Sequence, residues 1–137
     1  ERVAKASSPS RPKIEAPKYK TDWQWKWPLK GSVVESFDLG KSRKGIRVKN
    51  ESSKQINPAA PGNVVYAGSG LRGYGNLVII KHSDKVLSAY ANNEDILVEV
   101  GQSITQADPI SNLNENQIVY FEIRRDGSPV DPLKFLK

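Results

Sequence analysis

From Trp23 onward the chain is written in short runs, each too brief for a stable helix and separated by glycine, proline or short polar turn segments, which points it to β structure. The runs are Val33 to Phe37, Gly45 to Val48, Gly62 to Ala67, Leu77 to His82, Val86 to Ala91, Pro109 to Leu113 and Gln117 to Arg124. Pro61-Gly62, Gly68 to Gly70, Gly73 to Gly75, Gly101 and Asp126-Gly127 punctuate them. No stretch carries a convincing amphipathic helix, so the pattern predicts an all-β sandwich or open barrel of seven or more short antiparallel strands, with one helical turn over Pro132 to Leu136. Trp23, Trp25 and Trp27 alternate with polar residues, so in an extended segment all three rings face one way, as packing for the core.

Composition sets the outer limits. The 137 residues, 37% of them hydrophobic, suffice for one domain with a real core and a tail. Glu1 to Asp22 is rich in Pro, Ser and Lys and cannot bury enough apolar surface to offset the entropy of ordering, so residues 1–22 are expected to be a disordered basic linker and 23–137 the domain. The formal charge is +6, but residues 1–30 hold eight Lys/Arg against three acids. A basicity concentrated there excludes a nucleic-acid-binding globular face. With no cysteine there are no disulfides and no thiolate metal ligands. No apolar run approaches the roughly 20 residues that span a bilayer. A chain without Met that begins at Glu1 reads as a processed or excised piece, with any anchor upstream of it.

Enzyme chemistry finds few instruments in this chain. A catalytic zinc centre takes three protein ligands, usually His with Asp or Glu, and an open position for water; this chain has one histidine. Serine hydrolysis would need that same His82 as base, and at the end of an apolar strand it reads as a structural or solvated residue. Gly68-Ser69-Gly70 with Gly73 precedes a strand where a dinucleotide fingerprint needs a helix.

A set of landmarks in fixed order carries more information. Trp25-Lys26-Trp27-Pro28, Lys44-Gly45-Ile46, Pro61-Gly62 followed by Val64-Val65-Tyr66-Ala67-Gly68, Leu71 to Leu77, Tyr90-Ala91-Asn92, Val100-Gly101-Gln102 and Phe121-Glu122-Ile123-Arg124 with Val130-Asp131-Pro132 resemble the LytM (lysostaphin-type) zinc endopeptidase domain. Within it, the resemblance is to the NlpD and EnvC branch of cell-wall amidase activators, and it runs from about Trp23 to Leu136. Active members hold zinc with the His and Asp of an H-x-G-x-D motif and the second His of a late H-x-H motif, assisted by two further histidines. Laid onto this chain, the first motif falls on Arg43 to Arg47, the assisting His after Tyr-Ala falls on Asn92, and the late motif falls on Ile118, Val119 and Tyr120. The resemblance therefore implies a degenerate domain with no metal, no cofactor and no catalytic residue. Two guanidiniums facing a dication within about 4 Å cost several kcal/mol at moderate effective dielectric.

Strand parity places Val119, Phe121 and Ile123 on a core face, with Ile118, Tyr120, Glu122 and Arg124 opposite. Arg43 and Arg47 share a face in the same way. By the family mapping, Arg43, Lys44, Arg47, Tyr74, Leu77, Asn92, Ile118, Tyr120 and Arg124 line or border the emptied groove. Tyr and Arg suit a protein partner: one supplies rigid amphipathic area, the other a planar donor fork. What the resemblance implies is a periplasmic, envelope-anchored activator whose groove captures the inhibitory helix of a peptidoglycan amidase during cell division. The alternative expectation is a non-catalytic module binding peptidoglycan through Arg43, Arg47 and Tyr120.

Overall fold

A computed structural model describes residues 23–51 and 53–136; the expected linker over 1–22 lies outside them. Among the described residues ten strands form a single antiparallel sheet: β1 (Gly31–Glu35), β2 (Ile46–Asn50), β3 (Gln55–Ile56), β4 (Gly62–Gly68), β5 (Asn76–Lys81), β6 (Val86–Ile96), β7 (Ser103–Ile104), β8 (Ser111–Leu113), β9 (Ile118–Arg125) and β10 (Ser128–Val130). The main path runs β1-β2-β9-β6-β5-β4-β7, while β10 pairs with β9, and β8 pairs with both β3 and β6. Short 3-10 turns cover Leu39–Lys41 and Pro132–Lys134. Asp38 caps the first, its carboxylate accepting from Gly40 N–H at 3.1 Å.

The all-β architecture is as the alternation predicts, with differences of extent. Strand β6 continues past Ala91 to Ile96, and β3, β7 and β10 were not anticipated. Those three are two or three residues long, too short to show a period of two. They exist because neighbouring strands offer them a ladder.

The central strands divide their residues between two layers. Ile46 and Val48 of β2, Val78 and Ile80 of β5, Tyr90 of β6 and Val119, Phe121 and Ile123 of β9 point into the main core, each wholly buried. Full burial of an aliphatic or aromatic side chain contributes about 1.5–3 kcal/mol. Trp25, Trp27 and Phe135, partly buried, pack against this core. On the reverse face a smaller cluster, Leu77, Ala89 and Ala91, is covered by Tyr66, Tyr74, Ile79 and Tyr120. A register irregularity between Val64 and Tyr66 in β4 lets Val64 face the main core and Tyr66 the reverse layer.

One polar chain crosses the main core. His82 is 1% exposed, the structural rather than the solvated alternative, because Trp23 and Trp25 pack on it, one tilted and one edge-on, with centroids 5.9 and 5.1 Å away. Its Nδ1 lies 2.8 Å from the Pro61 carbonyl and its Nε2 2.7 Å from Ser88 Oγ. Ser88 Oγ is in turn 2.6 Å from the Tyr90 hydroxyl, which accepts from Ala59 N–H at 2.9 Å. Every member has a partner, which is what makes a buried polar run tolerable. Burial pushes the His82 imidazole down to about 4 and the Tyr90 phenol up.

Candidate functional site: a trough organised by a buried glutamate

The reverse face of β9 forms the floor of a trough. Tyr120, Glu122 and Arg124 alternate onto it, opposite Ala91, Ala89 and Leu87 of β6. The two alanines leave the middle low while the larger side chains rise around it. On the other side of β9, Arg47 is the cross-strand partner of Tyr120. Its guanidinium lies 5.1 Å from the Tyr120 ring centroid and 3.3 Å from the Glu35 carboxylate, so it is stacked and paired at once. The wall is the 71–75 loop, where Gly73 and Gly75 have φ of 92° and 64°. Those left-handed conformations, which glycine adopts without penalty, turn the chain tightly on both sides of Tyr74.

At the centre lies Glu122, 1% exposed. Its Oε2 accepts from the Tyr120 hydroxyl at 2.6 Å and from the Tyr74 hydroxyl at 3.1 Å; its Oε1 accepts from Arg124 Nε at 2.8 Å. A carboxylate stripped of water is expensive unless its lone pairs are satisfied and a cation stands near, and this arrangement supplies three donors, one of them charged. Burial pushes the Tyr120 phenol up, aided by its hydrogen bond to Glu122, and acts the same way on Tyr74. For Arg124, burial works to lower the guanidinium, but the bond to and charge of Glu122 outweigh it and the net shift is upward. Linked residues run from Glu35 on β1 through Arg47 on β2 and Tyr120 and Glu122 on β9 to Tyr74 and Arg124, so one network braces three sheet strands and the loop wall.

Among the residues singled out from sequence, Arg47, Tyr120, Tyr74 and Arg124 meet in this network. Leu77 is buried and forms floor rather than border. Asn92 follows Ala91 with φ of 72°, and its N–H donates to the Tyr74 carbonyl at 3.2 Å, fastening the loop to β6. Ile118 opens β9 opposite Lys49, half-buried. Arg43 and Lys44 precede β2; Arg43 forms an isolated bridge with Asp38, so the strand parity that was to put it on the face of Arg47 does not reach it. Lys44 is exposed. Sequence reasoning missed Glu122 as the organising residue, although parity had already set it on the trough face.

The donor set does not fit zinc. Zinc takes thiolate, imidazole or carboxylate, whereas the mapped ligand positions carry two guanidiniums and a phenol whose proton is given to Glu122. Among the described residues no cluster of three His, Cys, Asp or Glu could hold a metal ion.

A single open antiparallel sheet, with a trough at the motif positions of a lysostaphin-type endopeptidase, defines a LytM-type β domain. The chain belongs to peptidase family M23, whose pattern it matches over residues 41–132. It is 43% identical over 117 residues to a Pseudomonas aeruginosa protein named lipoprotein NlpD/LppB homolog, and 42% identical over 117 residues to the Escherichia coli murein hydrolase activator NlpD. Each alignment takes in 82% of this chain but only 39% and 31% of those relatives. In three dimensions it resembles Helicobacter pylori Csd3 with a TM-score of 0.72 at 20% identity, over 84% of this chain and 35% of Csd3, a likeness of fold alone.

Proposed function

We propose that this domain is a non-catalytic activator of a peptidoglycan amidase, acting in the cell envelope, and that the trough captures the amidase segment that holds the partner inactive. The observation that carries the reading is the Arg47–Tyr120 stack. At the positions where the family's active members hold zinc, this chain places a guanidinium against an aromatic ring, braced from below by Glu122. Such a surface has no hydrolytic chemistry to offer but has the rigid aromatic and arginine anchors that concentrate binding energy at protein interfaces. Relatives at 42–43% identity carry the names murein hydrolase activator and lipoprotein, which supports both the role and the location.

Activation is a population shift. To move an amidase from about 1:99 to 99:1 open, the domain must bind the open form about 5.5 kcal/mol more tightly than the closed one, which a few anchors of about 2 kcal/mol each supply. The test mixes the purified domain with peptidoglycan amidases and dye-labelled sacculi. Dye release that neither protein gives alone is the expected result. If the domain sediments with sacculi and stimulates no amidase, the peptidoglycan-binding alternative replaces this reading.

A further inference from the structure

Beyond Glu122 the trough deepens into a hollow of about 190 Å³. Its floor and sides are Leu77, Ile79, Leu87 and Ala89; Tyr74 and Arg124 stand at its lip, and Leu71, exposed on the loop, overhangs it. Small-molecule sites run to about 300–1,000 Å³, so this one is too small for a metabolite or a glycan. A dry cavity of about 150 Å³ accepts a benzene-sized group, so the hollow matches one large apolar side chain. The polar side chains of its inner lining are already engaged: Glu122 accepts from Tyr74, Tyr120 and Arg124, and the Ser88 hydroxyl is bonded to His82 and Tyr90.

The charge at the lip is one-sided. The Arg124 guanidinium uses its Nε on Glu122 and one Nη on the Gly127 carbonyl, while remaining 30% exposed. Further Nη donors stay available beside the hollow. Arg72, next to Leu71, is exposed and has no ion-pair partner among the described residues. A carboxylate arriving there would find a donor fork of matching geometry.

We propose that this hollow is the anchor pocket of the trough, and that the partner segment it takes presents a leucine-sized or phenylalanine-sized side chain flanked by a carboxylate that seats on Arg124 and Arg72. This rests on the activator reading and adds to it the chemistry of the captured segment. Apolar burial supplies the affinity, and the acid sets the register in which the segment lies.

The probes are three acetylated, amidated pentapeptides: Ala-Glu-Leu-Ala-Ala, the same with Ser for Leu, and the same with Gln for Glu. They are titrated into the isotope-labelled chain and followed by amide chemical shifts. The leucine peptide should give saturable shifts at Leu71, Tyr74, Ala89 and Glu122. The serine peptide should bind about tenfold more weakly, the scale of one lost anchor; the glutamine peptide should bind more weakly and with less dependence on salt. Ala89→Leu, which fills the hollow, and Leu71→Ser, on an exposed loop where folding is not at stake, should each weaken the leucine peptide to the same degree. Absence of saturable shifts, or equal shifts from the leucine and serine peptides, overturns the pocket. Amidase stimulation is read separately. A Leu71→Ser chain that loses the peptide but stimulates fully overturns the hollow as the anchor while the activator reading stands. A wild-type chain that binds the leucine peptide but stimulates no amidase keeps the pocket's chemistry and removes the activator reading.

Discussion

The Tyr120 hydroxyl donates a 2.6 Å hydrogen bond to the buried carboxylate of Glu122 two residues along the same strand. Side chains at i and i+2 share a face of a strand, so the bond is made without crossing the sheet, and it links the phenol at the mapped zinc-ligand position to the residue that orders the trough. The surface and the fold are thereby coupled: a change meant to probe recognition also removes a donor from a buried charge.

Glu122→Gln tests that coupling. The amide keeps the shape but replaces one accepting oxygen with an NH₂ that faces either the two phenols or Arg124, each of which is a donor. Leaving buried donors unmatched costs about 1–3 kcal/mol. Urea unfolding should show a loss of that size, with the slope of the transition unchanged. An unchanged midpoint would mean that the network adds nothing to stability.

His82 gives the chain an acid-side instability. Its folded pKa of about 4 lies below the 6.5 of the unfolded group, so between these values the unfolded state binds more protons. The stability from keeping it neutral is complete above about pH 6.5, falls as pH drops towards 4, and is level below that. From pH 7 to pH 5 the loss should be about 2 kcal/mol. His82→Gln should be less stable at pH 7 and should lack this part of the pH dependence, read as the difference between the two urea series.

Zinc should not bind. Dialysis against excess zinc followed by metal analysis should leave the wild-type chain without a stoichiometric ion. The triple change Arg43→His, Arg47→Asp, Tyr120→His, which rebuilds the family's ligand set at the mapped positions, should acquire one. A stoichiometric zinc on the wild-type chain would remove the basis for regarding it as non-catalytic.

Legibility from sequence followed the physics of alternation. Strands β2 and β9 were readable because their residues alternate with a period of two, and β5 because a continuous apolar run bounded by turn residues reads as a buried strand; motif order singled out Arg47, Tyr74, Tyr120 and Arg124, which the structure brings together. Glu122 was not. Parity says that it leaves the main core, and a glutamate leaving a core is usually solvated; only the second layer made by Tyr74, Tyr120 and Arg124 buries it. For His82 the sequence left a structural and a solvated reading open, and only the cover of Trp23 and Trp25 from across the fold decides for the buried one. Arg43 was placed by extending strand parity into a segment where the ladder has not begun.

Recognition and folding can be separated by comparing Tyr120→Phe with Tyr120→Ala. Phenylalanine keeps the ring on which Arg47 stacks and loses one donor to Glu122, so stability should fall by about 0.5–1.5 kcal/mol while amidase stimulation, corrected for the folded fraction, stays near that of wild type. Alanine also loses the aromatic area, and stimulation should fall by about 1–3 kcal/mol, roughly 5 to 150-fold. Arg124→Ala should act like alanine at Tyr120, because it removes both a donor to Glu122 and the charge at the lip of the hollow. Folded fraction and dye release are measured on the same samples. If Tyr120→Ala and Arg124→Ala lose stability yet stimulate fully per folded molecule, the trough is structural and the surface that engages the amidase lies elsewhere on the sheet.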